Sequence, residues 1–183
     1  LSRYPEVLTM EEQSADEDEL WSDLSQAIRE ACTQFVATRT TEGEHLKQDL
    51  VEKLHHMRDN VDKVEQRAPQ IIAEYRSKLM EKVNELLGDT QIDEARLSTE
   101  IVLFADKICT DEETVRLKSH ITSMLNALER SEGIGRKLDF IAQEMNREAN
   151  TILSKSNDLE TSDIAIELKT EIEKVREQIQ NIE

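Results

Sequence analysis

The chain has 183 residues, enough for one domain or one domain with a long extension. Three Phe, two Tyr, one Trp, two Pro and four Gly are too few for a sheet protein, and Leu, Ile, Glu, Lys, Arg and Gln dominate. An all-α fold is expected, with long antiparallel coiled-coil-like helices plus a shorter helical bundle. The net charge of −17 argues against a chain that binds nucleic acid over its whole surface.

The charge is unevenly spread. Residues 1–30 hold nine acids and two bases, whereas residues 131–157 hold four of each. A nucleic-acid site is therefore expected to be local, and open to assembly between subunits. No apolar run reaches the roughly 18 residues that span a bilayer, and no signal-peptide pattern is present. Cys32 and Cys109 lie in no metal or CxxC spacing and fall within helical patterns, which predicts buried or half-buried thiols of a reducing cytosol.

Residues 1–19 read as an acidic linker, with Leu1–Pro5 extended and Glu11–Glu19 running into a helix start. Residues 20–88 read as a long helical hairpin or coiled-coil region. In it Leu20, Leu24, Ile28, Ala31, Phe35 and Val36 recur at helical spacing, and Thr40–Gly43 interrupts weakly. Leu46, Leu50, Leu54, Met57, Val61 and Val64 then step by 4, 4, 3, 4 and 3, close to a heptad. Pro69 is expected to end or kink the helix, and Gly88 to follow its last turn. His45, His55 and His56 are expected at the surface.

Residues 89–160 read as a helical core that carries the candidate site. Thr90–Asp93 suits a turn and N-cap. Leu97, Ile101, Phe104 and Ile108 make a short apolar helix, and Thr110-Asp-Glu-Glu113 has the form of a capping box. After a loop at Ser131–Gly135, one arc of the next helix holds Leu138, Ile141, Ala142, Met145, Ala149, Ile152 and Leu153. Residues 161–183 read as a last helix that packs back on the long helices. Its Leu168, Ile172, Val175, Ile179 and Ile182 step by 4, 3, 4 and 3, and its natural partner is the Leu46–Val64 run, antiparallel.

The opposite arc of the 136–155 helix is unusual. Lys137, Phe140, Glu144, Arg147, Glu148, Thr151 and Lys155 lie nearly in line. A solvated face usually sets Glu four residues before Lys, but Glu144 and Glu148 repel by roughly 0.2–0.5 kcal/mol. Two readings stand: polar residues pairing with neighbouring helices, or carboxylates that hold a cation beside bases that hold phosphates. Glu113, Arg116 and His120 share one face of the preceding helix. Convergence of Glu100, Glu113, His120, Glu144 and Glu148 would make a nest for Mn²⁺ or Mg²⁺. Against this, Glu113 also suits the capping box, and His120 also suits packing against a neighbour.

Gly135-Arg-Lys-Leu-Asp-Phe140, Gln143-Glu-Met-Asn-Arg-Glu-Ala-Asn-Thr151, Ser154-Lys155 and Arg176-Glu-Gln-Ile-Gln-Asn-Ile-Glu183 resemble the YicC/YloC family of bacterial endoribonucleases. Asp93-Glu-Ala-Arg-Leu97, Phe104-Ala-Asp-Lys107 and Arg116-Leu-Lys-Ser-His120 extend the likeness over almost the whole chain. The resemblance implies cleavage of single-stranded or loop RNA, a divalent metal, a cytoplasmic setting and a ring-like hexamer. It also implies that this is the middle and C-terminal part of such a protein, without its amino-terminal α/β region. Thr41, Cys109 and Leu153 depart from the family's usual Arg, acid and Gly.

On that reading Arg136, Lys137, Arg147 and Lys155 hold phosphates and Phe140 stacks a base. Catalysis falls to His120, Glu144, Glu148 and Glu113, with Glu100, Glu113, Glu144 and Glu148 as metal ligands. Two routes are open: attack by a metal-bound hydroxide, or proton abstraction from the 2′-hydroxyl by His120. A helical adaptor that binds RNA without cutting it is the alternative, and a bare coiled-coil spacer a third.

Overall fold

The computed structural model describes residues 16–87, 93–130, 135–180 and 182. Five helices account for nearly all of them: α1 (Glu17–Leu87), α2 (Glu94–Ile108), α3 (Asp111–Leu128), α4 (Gly135–Lys155) and α5 (Leu159–Ile179). No strand occurs among the described residues, so the chain is all-α. No described helix is long and apolar enough to cross a membrane. The chain divides into two units, residues 1–44 and 45–183.

In the first unit the described residues belong almost wholly to the start of α1. Leu1–Pro5 lies outside the described residues, as does the acidic run up to Ala15; Glu17, Asp18 and Glu19 form the first turn of α1, where they complement the helix dipole. The expected interruption at Thr40–Gly43 does not occur. Thr33, Thr38, Thr40 and Thr41 each donate a hydroxyl to the carbonyl four residues back, at 2.8–3.1 Å, which satisfies them without leaving the helix. Residues 20–87 are therefore one helix and not a hairpin. Cys32 is exposed, contrary to expectation, because nothing described covers this part of α1.

In the second unit, four helices share a core. Leu50, Leu54, Met57, Val61 and Val64 of α1 are buried with Leu117, Ile121 and Met124 of α3, Leu138, Met145 and Ile152 of α4, and Leu168, Ile172 and Val175 of α5. Polar ties fix the directions. Asp49–Gln178, His56–Glu167 and Arg67–Asp158 make α1 antiparallel to α5, as the two heptad runs imply. Lys47–Glu129 and Asp62–Lys118 make α1 antiparallel to α3. α4 packs on both α3 and α5, again antiparallel, through Glu148–Arg116 and Asn146–Glu173. This is a four-helix bundle with α1 diagonal to α4.

Pro69 lies inside α1 and does not end it. A proline in a helix interior costs about 3 kcal/mol, and Arg67 braces both sides of it. Its guanidinium donates to Gln70 at 3.3 Å and Glu74 at 2.6 Å beyond the proline, and grips Asp158 at 2.8 and 3.2 Å. Asp158 also caps α5, accepting from the Thr161 amide and hydroxyl, both at 3.1 Å. That cap starts α5 at Leu159 rather than at Thr161.

α2 contributes no buried residue. Asp93 caps it as expected, accepting from the amides of Ala95 and Arg96, and the Phe104 ring stacks on Tyr75 of α1 with centroids 3.6 Å apart. Cys109, just past its end, is exposed rather than buried. His45, His55 and His56 are exposed as expected. Gly88, Thr90–Ile92 and Ser131–Ile134 lie outside the described residues. Gly135 opens α4 at a close approach: the Ile182 carbonyl sits 3.0 Å from where a Cβ would stand.

Candidate functional site

The two arcs expected of α4 separate as its spacing requires. Leu138, Ile141, Ala142, Met145, Ala149 and Ile152 are buried, and Leu153 packs at the core's edge. At about 100° per residue, Arg136, Arg147, Phe140, Thr151, Glu144, Lys137, Lys155 and Glu148 follow one another within an arc of about 120°. Arg136, Lys137, Phe140 and Arg147 are exposed; Glu144, Thr151 and Lys155 are half-buried; Glu148 is buried. Exposure thus falls toward the edge that meets α3.

That edge is a polar seam. Lys155 Nζ donates to Glu113 Oε1 at 2.8 Å and to the Cys109 carbonyl at 3.0 Å. One turn along, Arg116 lies 3.8 Å from Glu148 and also bonds Glu112. The same register brings His120 level with Glu144, which faces Arg147 at 3.9 Å. His120 is half-buried, and among the described residues no hydrogen bond or ion pair occupies it. Four carboxylates in the seam, Glu112, Glu113, Glu144 and Glu148, thus meet three cations, Lys155, Arg147 and Arg116, with Arg116 shared between Glu112 and Glu148.

The expected capping box does not form. Thr110 precedes α3 without a side-chain cap bond. Glu113 is turned instead to Lys155, whose ammonium it holds above the usual lysine range through their hydrogen bond. Glu113 Oε2 is buried without a partner. Charge-assisted bonding to a lysine outweighs a neutral backbone cap.

The expected metal nest is not assembled among the described residues. Glu113, His120, Glu144 and Glu148 share the seam. Glu100 does not: it stands exposed on α2, with the Tyr75 hydroxyl at 3.5 Å. Among the described residues, no three His, Cys, Asp or Glu side chains converge closely enough to hold a metal ion. The cations now bound to Glu113 and Glu148 are side chains. Arg116 and Glu112 were the members of the seam without an expected role; their four-residue spacing, a helical ion-pair signal, was the clue.

The family model described as "Endoribonuclease YicC-like, C-terminal" matches residues 64–183, and "Endoribonuclease YicC-like, N-terminal region" matches residues 1–48. The expectation that the amino-terminal part is absent is thereby corrected for those 48 residues. A protein of Clostridioides difficile (strain 630) named "Probable endoribonuclease YicC" is 42% identical over 184 residues, covering 100% of this chain and 63% of the relative. One of the same name from Haemophilus influenzae is 38% identical over 181 residues, covering 99% of this chain and 62% of the relative. The chain thus spans under two thirds of the length of both relatives.

Proposed function

This chain belongs to the family of YicC-like endoribonucleases, and from that premise we propose that it is the helical portion of an enzyme that cuts single-stranded or loop RNA. The observation that carries the reading is the α4 face: exposed Arg136, Lys137, Phe140 and Arg147 alongside a seam of half-buried and buried titratable groups. The strand runs along α4. Arg136, Lys137 and Arg147 hold its phosphates, and Phe140 stacks a base, worth roughly 1–3 kcal/mol.

His120 is the proton acceptor in this reading. It takes the 2′-hydroxyl proton, the 2′-oxygen attacks the adjacent phosphorus, and the bond to the 5′-oxygen of the next nucleotide breaks, that oxygen taking a proton from water. The products are a 2′,3′-cyclic phosphate and a 5′-hydroxyl. Arg147, beside Glu144, meets the charge that builds on the phosphoryl oxygens. The proposal includes a requirement for Mn²⁺ or Mg²⁺, a cytoplasmic setting and a hexamer. Glu113 and Glu148 do not fit the ion as they stand, because Lys155 and Arg116 already neutralise them. The proton transfer therefore rests on the chain's own side chains.

The test is cleavage of a short labelled RNA, with analysis of the product ends. His120→Ala is expected to slow single-turnover cleavage by about 10²–10⁴-fold with little change in RNA affinity. Unchanged cleavage, or 5′-phosphate ends, would overturn the role of His120. The second reading, an RNA-binding adaptor, is favoured by the pairing of Lys155 and Arg116 within the fold. RNA binding without cleavage under any divalent ion would select it.

A further inference from the structure

The first unit of the chain carries a surface that nothing above uses. From residue 16 to residue 44 every residue of the chain except Ser25 is exposed. Leu20, Trp21, Leu24, Ile28, Phe35 and Val36 form a stripe on this part of α1, and each is 50–66% exposed. Ala31 and Cys32 fill the intervening turn at the same helical spacing. Six large apolar side chains on one arc, among them the chain's one Trp, make a contiguous patch of the kind that marks an interaction site.

We propose that this stripe is covered by the same stripe of a second copy, running antiparallel. Charge selects both the partner and the direction. Asp16, Glu17, Asp18, Glu19 and Asp23 put five acids at one end, whereas Thr33–Thr40, the segment that an antiparallel partner sets opposite them, holds Arg39 and no acid. A parallel pair would set five acids against five. An antiparallel pair sets them against a segment with one arginine and no acid, and charges flanking a helical seam decide orientation in this way. The apolar pattern has the matching symmetry. Leu20 and Val36 stand eight residues either side of Ile28, and Trp21 and Phe35 seven. Glu17 and Arg39 stand eleven residues either side of it. A twofold axis at Ile28 therefore covers the whole stripe, lays Trp21 toward Phe35 of the partner subunit, and brings Glu17 toward Arg39 of the partner subunit. Arg39 already rests over its own Phe35 ring, 5.7 Å from the centroid, at the edge of the stripe. The contact is isologous, which suits a closed assembly with an even number of subunits.

This inference deepens the homo-oligomer part of the proposed function by naming the face, and it does not depend on RNA chemistry. Sedimentation equilibrium and Trp21 fluorescence of the full chain test it. The wild type is expected to be an even-numbered oligomer whose Trp21 emission shifts to the red on dilution. Ile28→Glu should at least halve the mass and expose Trp21. Since that change can also unwind the segment, a charge swap provides the second arm. Glu17→Lys should weaken assembly tenfold or more, and Glu17→Lys with Arg39→Glu should restore it. Direction is read in a Cys109→Ser background. The two Cys32 thiols of an antiparallel pair lie about 12 Å apart along the axis, beyond disulfide reach. A chain carrying Leu24→Cys and Cys32→Ser should instead cross-link to one that retains Cys32. An oligomer unmoved by Ile28→Glu and by the swap overturns the assignment of this face and leaves the RNA reading standing. A wild type that stays monomeric at about 100 μM sinks both this pairing and the homo-oligomer. A Cys32–Cys32 cross-link overturns the direction.

Discussion

Lys155 shows how one side chain can serve two ends of a fold. Its ammonium joins the last turn of α4 to the first turn of α3 and to the end of α2. Glu113 is 7% exposed with one oxygen unpartnered, so it depends on that ammonium. Lys155→Met should destabilise the chain by about 1–3 kcal/mol, the cost of leaving a buried acceptor without its partner. Adding Glu113→Gln should recover part of the loss, and urea unfolding followed by circular dichroism measures both. Asn60 is the opposite case. It is fully buried on the core side of α1, accepts one bond from Lys63 at 2.8 Å, and leaves its amide nitrogen unpaired. Asn60→Leu keeps the branched shape at a larger volume and removes the orphaned donor. It should raise stability by about 1 kcal/mol, read as a higher urea midpoint at unchanged slope.

At the scale of elements, the Arg67 fork ties the bend-prone stretch of α1 to the cap of α5. Its hydrogen bonds hold the carboxyls of Asp158 and Glu74 below the usual carboxylate range. A folded pKa below the unfolded one gives stability that is complete above about pH 4 and is lost as pH falls through the folded value. The wild type should therefore lose stability steeply below about pH 4. Arg67→Met should start lower at pH 7 and lose less on acidification; equal acid limbs in the two chains would refute the linkage. This bracket also shows where sequence reading stops. The two arcs of α4 and the α1–α5 pairing were legible, because periodicity alone decides which side of a helix is buried. The passage of α1 through Pro69 was not, because the group that braces it reaches Asp158, 91 residues away. The pairing of Glu113 with Lys155 is not legible for the same reason: the partner lies 42 residues on. The thiols were misplaced because helical patterning says which residues share a side, not whether anything covers that side. The seam was half legible: spacing put Glu113 with His120 and Glu144 with Glu148, but it could not reveal that Lys155 and Arg116 stand among them.

For the molecule as a whole, the side-chain cations among the buried carboxylates predict folding that does not depend on added metal. Lys155 and Arg116 neutralise the buried carboxylates of α3 and α4, so EDTA should leave the melting temperature unchanged within about 1 °C. A chelator-induced drop of several degrees would reveal a bound ion that holds the fold together. RNA affinity should fall steeply with salt, and Arg147→Ala should reduce the slope of log K against log[salt] by about 0.7, the value of one single-strand phosphate contact. An unaltered slope would remove Arg147 from the strand's path. The carbonyl of Ile182 against Gly135 has a practical corollary. A group attached at Ile182 stands beside the Gly135 turn that leads into Arg136 and Lys137, so a bulky one there would shield the turn that the proposed function offers to phosphates. A small fluorophore at the same place becomes a proximity reporter, whose quenching on addition of RNA would test the proposed path without touching the bundle.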